Sequence, residues 1–254
     1  MKTKTVIEFT VLTLGITLLT WGGMIVLEHF GLTFENHAWL GIPLMLGGLS
    51  PTYVSYIVLK KNGEVSGFKE WLKNVFYVKA KVSHYLVAIL LVVLFVGVNT
   101  WISGSAMEEM PPFYMFFVGI AMSFVAGGLE EAGWRYILQP ELDKRYGFVV
   151  SSLVTGVIWF VWHIPLLIIG FLEFNMGMYA IGVLGMTFFY GAIIRISGKS
   201  DVFLSVFAHT LTNVALSGFP FNPTWSGTLA TFLVMVVVSS IIILLHKRQK
   251  SLSM

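Results

Sequence analysis

Residues 112–139 read PFYMFFVGIAMSFVAGGLEEAGWRYILQ. The run is apolar for long enough to cross a bilayer, which takes about 20 residues. It nevertheless holds Glu130, Glu131 and Arg135. Charges at membrane depth are costly and by default mark function. The rest of the chain agrees with a membrane setting. Of its 254 residues 56% are hydrophobic and 15% aromatic, and only 11% are charged, where an average soluble domain carries roughly 25%. With a mean hydropathy of +0.82, too few charges exist to cover a water-facing surface. A soluble enzyme, a disordered regulator and a nucleic-acid-binding domain are excluded. Cysteine is absent, which removes disulfides, thiolate metal sites and a cysteine nucleophile.

Eight apolar stretches are predicted to cross the membrane: Val6–Leu27, Ala38–Leu59, His84–Ile102, Pro112–Gln139, Phe148–Ile169, Met178–Ile196, Val202–Gly218 and Gly227–Leu245. In residues 64–81, Glu64, Lys69, Glu70, Lys73, Lys79 and Lys81 alternate with Phe68, Trp71, Leu72, Val75 and Phe76. That pattern predicts an amphipathic helix lying in the interface. The expected fold is therefore all-α, a polytopic membrane helix bundle forming one domain over 1–254. The first apolar run lacks a small-residue cleavage signature and reads as a retained helix rather than a signal peptide. Basic residues favour the cytosolic side. With eight crossings and both termini cytosolic, fifteen of the sixteen Lys and Arg fall inside, and Arg135 lies within a span. The outer loops then carry Glu28, Glu35, Glu108, Glu109 and Glu173. A bacterial plasma membrane is the expected setting. Glu130, in the inner half of its span, predicts a cytosol-facing mouth for any site.

Glu131 and Arg135 are four apart, share a helix face and are expected to pair, which lowers the cost of burying both. Glu130 is turned about 100° away and has no expected local partner. His163 lies deep in the fifth stretch beside Trp159, Phe160 and Trp162, where a lone histidine is commonly a hydrogen-bonded core residue. His209 and Asn213, four apart, share a face in the seventh stretch; interhelical hydrogen bonding is their ordinary role. Taken together, a carboxylate, two imidazoles and an amide on three helices form the constellation of a hydrolytic site. Other intramembrane chemistries lack their residues. There is no His-Glu-x-x-His zinc motif and no Gly-x-Ser-x-Gly elbow, and the only aspartates, Asp143 and Asp201, fall in predicted loops. A glutamate-based hydrolase or a His/Glu metal-based one remains.

Glu130-Glu131-x-x-x-Arg135, an aromatic four residues before His163, and His209-x-x-x-Asn213 resemble the three motifs of the CAAX protease and bacteriocin-processing (CPBP) intramembrane endopeptidases, the group that includes the Rce1-type prenyl-protein endopeptidases. The resemblance covers about residues 112–218; Trp159 stands where the second motif commonly has Phe. It implies a peptidase acting on a membrane-associated or lipidated peptide or protein. Glu130 and His163 would activate water, His209 and Asn213 would hold the oxyanion, and Glu131 and Arg135 would support them. No cofactor is expected; the alternative is zinc held by Glu130, His163 and His209, the usual ligand count for a catalytic site. Two other functions compete. A silent scaffold or immunity protein derived from a protease has no need of Glu130, His163 and His209 together. A transporter would be expected to show internal repeats and paired broken helices.

Overall fold

The computed structural model describes residues 3–34, 36–78, 80–104, 112–196, 201–218 and 224–252. Of the positions named above, Glu35, Lys79, Glu108 and Glu109 lie outside the described residues, as do Lys2 and Lys199 among the basic residues counted there. The described residues form α1 (Thr3–His29), α2 (Gly41–Gly48), α3 (Ser50–Lys61), α4 (Phe68–Phe76), α5 (Val82–Ser103), α6 (Phe113–Val125), the single turn α7 (Glu131–Gly133), α8 (Gln139–Ile168), α9 (Met176–Ile193), α10 (Val202–Gly218) and α11 (Trp225–Leu252). Among the described residues there is no strand. At 1.5 Å per residue, the 27 residues of α1 extend about 40 Å, more than the ~30 Å hydrocarbon core.

Burial is inverted relative to a soluble protein. Leu18, Leu19 and Trp101 are 69, 80 and 82% exposed, whereas Thr5, Thr13, Thr17, Ser50, Ser55 and Thr155 are buried. Lipid is as apolar as leucine, so helices associate through small and weakly polar side chains that pack closely and hydrogen-bond. On α1, Thr13 and Thr17 form such a face, and the Thr17 hydroxyl lies 3.3 Å from that of Ser50 on α3. The chain is an integral membrane protein, an all-α helix bundle.

Several predicted crossings are not the straight helices expected. Among the described residues, five helical segments are long and apolar enough to span, one of them the run Tyr114–Ile168, and the pair Ala38–Gly48 and Ser50–Lys61, bent by 47°, makes up to a sixth. The predicted fourth and fifth crossings fall together within Tyr114–Ile168, and α10, at 17 residues, is shorter than a full span. The bend in the second crossing has a local cause. Pro51, at the start of α3, has no N–H to continue the ladder. The predicted loop before Phe148 is instead the first part of α8, which turns at Gly147 (φ +77); only glycine takes up that left-handed backbone readily.

The largest departure is in residues 112–139, predicted as one helix. Helix α6 stops at Val125; a 3₁₀ turn (Gly128–Glu130), α7 and a π-turn (Trp134–Leu138) follow before α8. Gly127 and Gly128 permit the break by letting the backbone approach α10. A Cβ on Gly127 would collide with the Asn213 amide, and one on Gly128 with the Thr210 hydroxyl. The freed Leu129 carbonyl accepts a hydrogen bond from Thr52 at 2.9 Å, so the broken backbone is satisfied within the protein.

Helix α4 occupies the centre of the predicted interfacial segment. It buries Trp71 and Val75 and exposes Lys69, Glu70 and Lys73. The Ser66 side chain and its backbone N–H hold the Glu70 carboxyl below the usual carboxylate range.

Candidate active site

The broken segment presents Glu130 and Glu131 in different directions. Glu130 is 4% exposed, and its Oε2 accepts from the Trp159 indole at 2.9 Å and the Trp134 indole at 3.3 Å. Trp134 is four residues along, so Glu130 does have a local partner, contrary to expectation. The 3₁₀-to-π irregularity of this segment is not an ideal helix, and indole, unlike a charged partner, is not flagged by counting opposite charges.

Glu131 and Arg135 are both fully buried and paired at 3.2 Å, as their spacing predicts. The guanidinium also lies over two rings, 4.9 Å from Trp159 and 5.2 Å from Tyr190. Glu131 reaches further than pairing alone requires: its Oε1 accepts from His209 Nδ1 at 2.9 Å, and its Oε2 accepts from the Ser205 hydroxyl. Because Arg135 and His209 converge on one carboxylate, the salt bridge fixes the imidazole. Tyr190 stacks on the His209 ring at 4.9 Å and Trp159 meets it edge-on at 5.3 Å. With Nδ1 committed to Glu131, the free nitrogen of His209 is Nε2.

His163 Nδ1 lies 2.9 Å from the Trp159 carbonyl. A carbonyl only accepts, so Nδ1 carries hydrogen, and in the neutral ring Nε2 holds the lone pair. Trp162 and Tyr179 pack edge-on against this ring at 4.5 and 5.2 Å.

Glu130, His163, His209 and Asn213 all line one cavity of about 260 Å³. Its remaining walls are mostly apolar and come from α1, α2, α6, α8 and α9. Glu131 and Arg135 stand behind it, outside the lining. A point beside Gly127, where a Cβ would stand, is 3.2 Å from His209 Nε2 and closer still to Asn213 Nδ2. Two nitrogens thus converge on one spot at the cavity wall. Among the described residues, no three His, Asp or Glu side chains are gathered so as to hold a metal ion.

The cavity's exposed lining residues include Met45, Met122, Ala126 and Phe171. Phe171 lies in the connection after α8 and Met45 near the start of the second crossing, both at the end opposite the basic residues. A cytosol-facing mouth, expected from the depth of Glu130 alone, does not follow from this lining. The break after Val125 removes the straight-helix measure of depth on which that expectation rested.

Trp134, Ser205, Tyr190 and Gly127 were not singled out from sequence. Ser205 is four residues before His209 and Trp134 four after Glu130, so helical spacing could have flagged both. Nothing local points to Tyr190, which arrives on a different helix.

Fold and site define a polytopic all-α membrane protein with a carboxylate, two imidazoles and an amide turned into one interior cavity. Comparison with known proteins narrows this. Residues 111–215 match the family model described as type II CAAX prenyl endopeptidase Rce1-like. A curated relative, CAAX prenyl protease 2 of Methanococcus maripaludis, is 28% identical over 102 residues. That match covers 35% of this chain and 36% of the relative, so the chain spans about a third of the length of the curated protein it matches. Through this segment, which carries every residue of the polar cluster, the chain is similar to the Rce1-like endopeptidases.

Proposed function

We propose that the protein is an intramembrane endopeptidase that hydrolyses a peptide bond of a membrane-associated peptide or protein without a metal ion. The observation that carries this reading is the convergence of Glu130, His163, His209 and Asn213 on one cavity. Both indole hydrogen bonds to Glu130 fall on Oε2, leaving Oε1 for a water molecule. Glu130 and His163 Nε2 take the proton that the water loses as its oxygen bonds to the scissile carbonyl carbon. The carbonyl oxygen becomes an oxyanion to which Asn213 Nδ2 is placed to donate; His209 Nε2, which meets it beside Gly127, donates as well when the ring is the imidazolium that pairs with the Glu131 carboxylate. Collapse breaks the C–N bond, and the same proton passes to the departing amine. Glu131, Arg135 and Ser205 keep His209 in place and take no part in proton transfer.

The curated relative is named a prenyl protease, so a prenylated peptide is one substrate to test here, alongside unmodified membrane peptides. The apolar, exposed rim at Met45 and Met122 suits a substrate that arrives within the bilayer. In the same proposal both termini are cytosolic and the membrane is a bacterial plasma membrane.

The test compares membrane peptidomes of cells carrying the wild type and Glu130→Gln. The substitution keeps shape and hydrogen-bonding capacity and removes the base. A folded variant that leaves specific membrane peptides uncut supports the proposal. A variant with an unchanged peptidome and full cellular phenotype makes the protein a scaffold.

A further inference from the structure

A second cavity lies between α5, α9 and α11 on the far side of Tyr179. It measures about 80 Å³ and is lined by Phe95, Met178, Gly182, Phe232 and Met235, among others. Two of its few polar lining residues are turned on one another: the Asn99 amide donates to Thr231 at 3.2 Å. Tyr179, Val183 and Met186 line both this space and the cavity that holds Glu130 and His163. The two cavities are therefore one side-chain layer apart, and the Tyr179 ring in that layer is 5.2 Å from the His163 ring.

We infer that this second cavity is a specificity subsite that receives one apolar amino-acid side chain of the substrate, close to the scissile bond. This rests on the hydrolytic reading above for the nature of the ligand. Three observations select the occupant. The lining is mostly apolar, and its Asn99 amide is already engaged with Thr231 and Ser103, so a polar side chain would lose most of its hydrogen bonds to water without replacement. The shared wall places the space within reach of a chain held at Glu130 and His163. Its size is the third: at 10–15 Å³ for each water-sized group, 80 Å³ holds roughly five to eight such groups. That suits one Leu, Met or Phe side chain and is too small for a long lipid chain. Entry requires a wall residue to move aside. Met186 can do this, being unbranched with three rotatable side-chain bonds, and Met178 and Met235 let the lining adapt to side chains of different outline.

Gly182 supplies a clean test. It lines the cavity, and a Cβ there meets nothing within 4 Å, so larger residues at 182 grow into empty space. Gly182→Leu fills the subsite and Gly182→Ala fills part of it; Met235→Ala enlarges it. Each purified full-length variant is assayed in lipid nanodiscs against quenched-fluorescence peptides that carry Gly, Ala, Leu, Met or Phe at one position at a time. The wild type is expected to prefer Leu, Met or Phe over Gly at one position flanking the cut. Gly182→Leu should lower the Leu-to-Gly ratio of kcat/KM at that position by at least about tenfold, the usual scale for a methylene-sized misfit in an apolar pocket. Gly182→Ala should give a smaller change, and Met235→Ala should move the preference toward Phe. In parallel, binding of the same peptides is measured in the Glu130→Gln background with and without Gly182→Leu. If the wild type cleaves with ratios indifferent to residue 182, the subsite is overturned while the peptidase reading stands. If nothing is cleaved but peptide binding shows the residue-182 preference, the subsite stands and the peptidase reading falls. Peptides that are neither cut nor bound with that preference overturn the subsite. A lipid occupant would show instead as co-purifying lipid lost on Gly182→Leu with peptide ratios unmoved, which also overturns it.

Discussion

Replacing Arg135 with alanine should unfold the site from behind. Arg135 and Glu131 are each 0% exposed, so neither can find water when its partner is lost. At their 3.2 Å separation, the Coulomb attraction at an effective dielectric of ~20 is about 5 kcal/mol. The guanidinium also lies over Trp159 and Tyr190, worth about 1–2 kcal/mol more in a desolvated setting. Removing Arg135 recovers the cost of burying it but strands the Glu131 carboxylate, which keeps only His209 and Ser205 as donors. Breaking a buried pair in this way costs ~3–5 kcal/mol. Arg135→Lys should fall in between, because a compact ammonium keeps the charge but cannot lie flat over two rings. The assay is thermal unfolding of the purified protein in detergent, followed by circular dichroism, beside peptide cleavage. Stability and activity should fall together, and Glu131→Gln with Arg135→Met should cost less than the two single changes combined. A loss of stability below about 1 kcal/mol, the range of exposed pairs, accompanied by loss of activity, would refute the reasoning and put Arg135 in contact with substrate.

Further expectations follow from the same geometry. Gly127→Ala pushes the Asn213 amide away from the point it shares with His209 Nε2. It should lower kcat by about 10²–10³, the usual effect of losing one oxyanion donor, with circular dichroism unchanged; full activity would remove Asn213 from the oxyanion role. Cysteine at Glu173 should react with an impermeant reagent applied outside the cell and cysteine at Lys69 should not, since the basic residues set the orientation; reversed labelling would invert the topology. Cleavage should persist in a strong chelator. Activity lost to the chelator and restored by zinc, with one tightly bound ion per chain, would reassign Glu130, His163 and His209 as ligands.

From sequence alone, the membrane setting and the all-helical class were legible, because both follow from composition and from runs of apolar residues, which act locally. The Glu131–Arg135 pair was legible for the same reason: four residues is one helical turn. Each of Glu130, His163, His209 and Asn213 stood out as a polar group in an apolar stretch, but sequence spacing could not bring three helices to one point. Tertiary packing decided that. It broke residues 112–139 at Gly127 and Gly128, where only a missing Cβ lets the chain approach Asn213 and Thr210. It tied Glu131 to His209 across 78 positions, and it turned Glu130 toward two indoles. The division has one physical cause: hydropathy and helical period are properties of neighbours along the chain, whereas close approach is set by which surfaces lack a side chain when helices meet.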